Sequence, residues 1–366
     1  MKIKLLRFLK FSGIIISIII VLFVSFVAYI SITDYKPAKM ENVSLNGNKS
    51  ENISMPKELS FISWNIGYCG LGKDMDFFYE GGKMVRPDKN NFNKYLNGIE
   101  KVLKSVDSVD FVLLQEVDKY SKRSYYVDQT KILSSIFLGY TSIMAKNYDV
   151  KFVPVPLTSP MGRVKGGIMS LSKYNPAQAT RFAYPLITSW PNSLFMLDRC
   201  FLVYKFKLKN KRELIIVNTH NSFFVKKEGP RNAELNVLKN YLLKESAKGN
   251  YIICGGDWNQ NPPNFETDKF LSGDVFEKSF MQIKEDFMPE DWTWAYDSDY
   301  PTNRNVQTPY TKGKTKTTLI DYFLTSPNIK VFEVKTIPID FEFSDHQPVY
   351  MKVACKAKKP KYIEIN

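Results

Sequence analysis

Histidine and cysteine are scarce in this 366-residue chain, which holds two of the first and four of the second. The cysteines, Cys69, Cys200, Cys254 and Cys355, form no C-x-x-C pair and no zinc-like spacing, so no thiolate metal site rests on them. Outside a membrane they could form disulfides. However, Cys200, Cys254 and Cys355 lie in or beside strand-like apolar runs, where a small buried hydrophobe is the simpler account. There is no G-x-S-x-G and no H-E-x-x-H, which removes the signatures of serine and zinc hydrolases. No internal repeat occurs, and no low-complexity block precedes a lysine-rich tail. Disorder is excluded as the default, because 44% hydrophobic and 14% aromatic residues with 24% charged ones can bury a large core.

Acidic residues are outnumbered by basic ones, giving a formal charge of +14. Four of those charges belong to the first 33 residues and three to the tail from Lys356, which leaves a mild +7 between them. Such a surface suits an anionic substrate or anionic lipid headgroups, and spread-out lysines do not by themselves mark a nucleic-acid binder.

Lys2, Lys4, Arg7 and Lys10 precede an uncharged, largely apolar stretch from Phe11 to Thr33. About 20 apolar residues match a bilayer core, whereas a cleavable signal has an apolar region of about 7–15. The expectation is a retained single-pass anchor over residues 1–33 in the cell membrane. Its basic end would be cytoplasmic and the rest of the chain outside, with cleavage after Ala28 or Ser31 as the alternative. Residues 34–57 are polar without a hydrophobic period and read as a tether, residues 58–354 as one domain and residues 355–366 as the lysine-rich tail.

Within the domain, strand-like and helix-like segments alternate, which predicts an α/β fold. Phe92, Leu96, Ile99, Leu103 and Val106 recur at helical steps, as do Leu235, Leu238 and Leu242, marking two amphipathic helices packed on a sheet. The stretch Asp286–Thr318 has no clear period and reads as a long loop. Polar clusters stand at the ends of strand-like runs: Trp64-Asn65, Gln115-Glu116, Asn218-Thr219-His220, Gly256-Asp257-Trp258-Asn259 and Ser344-Asp345-His346, with Asp321 in a further run. Strand ends let side chains from distant positions converge without disturbing a packed face.

These residue types suit phosphate-ester hydrolysis. Glu116 is of the type that holds a hard cation such as Mg²⁺, Asp257 could orient or deprotonate the attacking water, and Asn259 could fix that water or a phosphate oxygen. His220 and His346 could stabilise charge growing on the phosphoryl oxygens, and Asp321, if it reaches His346, would set its tautomer. Each cluster taken alone has a plainer account. Gln115-Glu116 could be a strand end reaching water, Asp257 a turn residue, and Asp321 a buried carboxylate satisfied by backbone donors. The inference rests on the ordered series.

That series resembles the endonuclease/exonuclease/phosphatase superfamily, on Asn65 in SWNIG, Glu116 in LLQEVD, His220 in VNTHNS, Asp257 and Asn259 in GGDWNQNP, Asp321 in IDYFLTS and Asp345-His346 in SDHQPV. The resemblance covers residues 58–354. It implies a four-layer sandwich of two packed mixed β-sheets flanked by helices, here preceded by the apolar segment. It further implies Mg²⁺ or Mn²⁺ near Asn65, Glu116 and Asp345, catalytic roles for His220, Asp257, Asn259, Asp321 and His346, and substrate contacts from Arg199 and Asn221. Relatives include deoxyribonuclease I-like nucleases, abasic-site endonucleases, neutral sphingomyelinases and inositol-phosphate phosphatases. The implied activity is therefore phosphodiester hydrolysis, acting on nucleic acid or another phosphodiester, a phospholipid headgroup among them. Inositol-phosphate phosphatase activity and a non-catalytic phosphate-binding scaffold are the alternatives, and no obligate protein partner is evident. Tryptophan stands at 258 where phenylalanine is commoner, and the tyrosine that some nucleases place near the phosphate has no clear match. The glycine-rich insertion from Gly67 to Pro87 reads either as a substrate rim or as a surface loop packed by its own aromatics.

Overall fold

The alternating apolar runs assemble into two mixed sheets of seven strands each. A computed structural model describes residues 2–47, 57–106, 108–186, 188–223, 228–266, 269–270 and 282–356. The first sheet runs, edge to edge, Met40–Asn42, Gln178–Ala183, Cys200–Lys207, Glu213–His220, Tyr251–Asp257, Asp321–Thr325 and Thr293–Ala295. The second runs Ile329–Thr336, Val349–Cys355, Glu58–Asn65, Phe111–Asp118, Gly162–Ser172, Thr141–Val153 and Leu45–Asn46. One parallel pair lies near the middle of each sheet: Glu213–His220 with Tyr251–Asp257, and Glu58–Asn65 with Phe111–Asp118.

Central strands buried on both faces explain why the sequence there reads as unbroken apolar runs. One face of each sheet packs on the other through Phe61, Phe111, Leu113, Tyr204, Ile216, Ile253 and Phe323. Helices cover the outer faces. Lys89–Lys104 starts at Asp88, whose carboxylate accepts the Asn91 amide at 2.9 Å, and ends with Lys101 and Lys104 in its last turn, both favourable for a helix. It buries Phe92, Leu96, Ile99 and Leu103 against the second sheet, while Leu235, Leu238 and Leu242 of Glu228–Ala247 cover the first. The layering is helix, sheet, sheet, helix, as expected.

Two expectations are corrected. The segment after the apolar helix is not a free tether, because Met40–Asn42 pairs with Gln178–Ala183 and Leu45–Asn46 with Thr141–Val153, extending one edge of each sheet. Edge strands need backbone partners and no hydrophobic period, so a polar sequence concealed them. The stretch 286–318 is likewise not all loop: Thr293–Ala295 joins the first sheet, and Asn303–Arg304 pairs with Thr317–Thr318. Strands of two or three residues are too short to show alternation. Residues 48–56 of the tether and 357–366 of the tail lie outside the described residues.

The apolar stretch forms one helix, Lys2–Ile32, whose most apolar 18 residues have a mean hydropathy of 2.9, and it fits a membrane span or a signal sequence. All four cysteines are unpaired, and Cys69, Cys200 and Cys254 are buried.

Candidate active site

Strand register brings the predicted polar residues together at one end of the sandwich. In the first sheet Asp257 lies beside His220 on one neighbouring strand and Asp321 on the other, so three charged-type side chains stand in a row. In the second sheet Asn65 pairs with Gln115, and the register then shifts between Leu114 and Val117. Glu116 occupies this bulge with φ 53°, a left-handed conformation that turns its side chain out of the strand's regular alternation. Below, Gln115 Nε2 donates to Asn218 Oδ1 at 2.8 Å, and Asn218 Nδ2 donates to the carbonyls of Leu114 and Met169 at 3.2 and 3.1 Å. This buried clasp fixes one sheet against the other directly under the site.

Seven of the ten predicted side chains line a single cavity of about 180 Å³: Glu116, Arg199, His220, Asp257, Asn259, Asp345 and His346. Asn65, Asp321 and Asn221 stand behind them. Asp257 is the hub. Its Oδ1 accepts the Asn259 amide at 2.9 Å, and its Oδ2 accepts Asn65 Nδ2 at 3.0 Å while lying 3.4 Å from His220 Nε2 and 3.8 Å from His346 Nε2. Burial pushes the Asp257 carboxyl up, with the His346 charge opposing and Asp321 adding to the shift.

The two imidazoles are tuned in opposite directions. His346 Nδ1 lies 2.7 Å from Asp321 Oδ2, as the sequence predicts. Burial works against its charge, but Asp321, Asp257 and Asp345 together hold the imidazolium well above the ordinary histidine range. A charged His346 donates through both nitrogens. The Asn303 side-chain amide lies 3.0 Å from Nε2 and 3.4 Å from the Asp345 carbonyl oxygen. His220 is held well below the ordinary range by burial and by the cations Arg199, His346 and Arg123, so it is neutral.

Glu116 and Asp345 supply the oxygen donors that a hard divalent cation takes. Asp345 is buried and pushed up to about 6 by burial, with His346 opposing and Glu116 adding to the rise, so a cation between the two carboxylates would relieve their mutual repulsion. The donor set thus fits Mg²⁺ or Mn²⁺. Asp257, Asp321 and His346 also come within ligand distance of one another. A cation there would break the 2.7 Å hydrogen bond between Asp321 and His346, so the carboxylates of Glu116 and Asp345 make the better seat. Asn65 presents its side-chain nitrogen to the site. Its Oδ1 accepts the Gly67 amide at 3.0 Å, which leaves Nδ2, a group unable to ligate a cation, facing Glu116 at 3.4 Å and Asp257.

Asn221 lies behind the cavity wall. Its Oδ1 accepts from Tyr184 and Thr219 at 3.0 and 2.6 Å, its carbonyl takes the Asn259 amide at 2.8 Å, and its own amide donates to the Asp257 carbonyl at 3.0 Å. It braces the ends of two strands and is not among the lining residues, and its Nδ2 has no protein partner among the described residues. Arg199 does face it, with Nη1 lacking any protein partner. Sequence reasoning missed Asn303, Tyr68, Tyr148 and Arg123. Asn303 lies in the irregular stretch and reaches the site only because it bridges His346. Arg123 is pinned by Asp118 through two bonds of 2.9 Å and stacks on Tyr68 at 3.8 Å, forming a rigid wall. The Gly67–Pro87 insertion is the rim: Tyr68, Leu71, Phe77, Tyr79 and Glu80 all line the cavity. Lys312 pairs with Asp340 at 2.9 Å and is not part of the wall.

Residues 62–346 match the Endonuclease/Exonuclease/phosphatase family. The chain is similar in structure to an endonuclease/exonuclease/phosphatase from Beutenbergia cavernae, at 14% identity over 82% of this chain and 72% of that one, with a TM-score of 0.52. It is also similar to one from Bacteroides vulgatus, at 16% identity over 82% and 100% of the two chains and a TM-score of 0.50. A family protein from Leptotrichia buccalis matches at 13% identity over 81% and 99%, again with a TM-score of 0.50. At such identities the likeness concerns the fold. No curated protein matches the sequence.

Proposed function

Because the chain belongs to the endonuclease/exonuclease/phosphatase family, and is on that ground a hydrolase of phosphoester bonds, we propose that it is a divalent-cation-dependent phosphodiesterase working by direct attack of water. The observation that carries this reading is Asp257, a buried carboxylate with a raised pKa set between a neutral and a charged imidazole at one end of a cavity. Asn65 and the Asn259 amide hold the carboxylate in place, and its raised basicity suits it to take a proton from water at neutral pH.

His346 donates toward a phosphoryl oxygen, with Asp321 keeping it charged and oriented. Arg199 offers its free Nη1 to a second phosphoryl oxygen, and the neutral His220 adds a donor without drawing the charge of Asp257 away. Held at Glu116 and Asp345, Mg²⁺ or Mn²⁺ would supply positive charge against the phosphate as it gains negative charge. The water oxygen bonds to phosphorus and one ester P–O bond breaks; Asp257 takes the water proton and later returns it to solvent, and solvent supplies the proton to the leaving oxygen. The products are a phosphomonoester and an alcohol.

Purified full-length protein should cleave a soluble chromogenic phosphodiester with Mg²⁺, stop with chelator and recover when the ion is restored. Glu116→Gln should raise the Mg²⁺ concentration needed by roughly tenfold or more. Chelator-insensitive cleavage contradicts the cation requirement, and no cleavage of any phosphoester favours the scaffold reading.

A further inference from the structure

The end of the apolar helix is seated on the domain beside the cavity. Phe26 stacks on Phe195 at 6.3 Å and meets Phe152 edge-on at 6.1 Å, Ile30 is 2% exposed, and Trp190 Nε1 donates to Ser31 Oγ at 3.2 Å. The docked surface consists of two segments: the hairpin formed by Thr141–Val153 and Gly162–Ser172, and the stretch 188–197 with Leu186 before it. Both carry large apolar side chains in the open, with Phe152 at 39%, Val155 at 38%, Leu157 at 87%, Leu186 at 63% and Trp190 at 64% exposure. Both also build the cavity wall, through Met161 on one and Met196 and Leu197 on the other. A soluble protein rarely leaves such a cluster uncovered, and here a helix apolar enough to cross a bilayer emerges from the middle of it.

We propose that this apolar face rests in the interface of the bilayer that holds the helix, so that the cavity opens along the membrane and the substrate is a phosphodiester borne by a lipid headgroup. The inference builds on the phosphodiesterase reading and adds the substrate class. The occupant is fixed by continuity, because the helix cannot lie in a membrane without bringing Phe152 and Trp190, which touch it, close to the same surface. Lys36 and Lys39 directly follow the helix and Lys151 precedes Phe152, placing cations where anionic headgroups lie. The apolar wall of the cavity would accommodate the first acyl or glycerol carbons next to the phosphate.

The full chain, reconstituted in phospholipid vesicles, is read in two ways. Trp190 is the most exposed tryptophan, so fluorescence lost on adding bromine-labelled acyl chains, and absent in Trp190→Phe, reports its contact with lipid. Hydrolysis is followed in parallel on vesicle phospholipid, a soluble diester and single-stranded DNA. The expected result is quenching of Trp190 together with a fall of about tenfold in lipid hydrolysis for Val155→Asp/Leu157→Asp, at an unchanged rate on the soluble diester. Unquenched Trp190 overturns the inference. So does cleavage of the soluble diester or DNA with lipid left intact, a result that leaves the phosphodiesterase reading standing. No cleavage of any of the three overturns both.

Discussion

At the scale of single residues, the account turns on two imidazoles on either side of one carboxylate with opposite charge states. They are the chain's only histidines, so their ring resonances can be assigned by elimination with one variant. Near pH 7, His346 should keep its proton and His220 should lack one, and the His346 pKa should fall in Asp321→Asn, which removes its strongest charged partner. Two rings titrating together near 6.5 would contradict the arrangement. The raised His346 contributes stability that is fully present below about 6.5 and lost as pH rises through its folded value, whereas the depressed His220 costs stability as pH falls below about 6.5. The identity of these residues was legible from sequence because acid, amide and imidazole recur in order at strand ends. Their orientation was not. Only the Gly67 amide decides that Asn65 points a donor and not an oxygen into the site, and only the bonds to Tyr184 and Thr219 keep Asn221 behind the cavity wall.

At the scale of elements, the strand carrying Asp257 meets its neighbour so closely that only glycine fits. Gly256 has φ +148°, and a Cβ there would lie 2.0 Å from the Thr219 carbonyl oxygen. Gly256→Ala should therefore cost roughly 3 kcal/mol or more, against about 1 kcal/mol for Asp88→Ala at the helix cap, measured as shifts of the denaturant midpoint. Equal effects would show that the strand pair can give way. Helical spacing revealed the two covering helices because Phe92, Leu96 and Ile99, or Leu235, Leu238 and Leu242, each form a stripe. The pair Asn303–Arg304 with Thr317–Thr318 left no such trace, and with it went Asn303, whose partner at His346 lies 43 positions away.

At the scale of the whole molecule, a four-layer sandwich brings strand ends from both sheets around one cavity, and an apolar helix lies against its rim. The layering was readable from alternation and from the motif series. The seat of the helix was not, because the alternation that places Phe152 on a strand does not say what covers it, and Phe195 sits in a segment with no period of its own. The central claim is that these distant side chains act as one hydrolytic centre with Asp257 as its base. Its most direct test is the turnover of Asp257→Asn on a soluble phosphodiester with Mg²⁺, alongside its unfolding curve. The account predicts a fall of roughly 10²–10⁴-fold with folding retained. Wild-type turnover in a folded Asp257→Asn protein would contradict it.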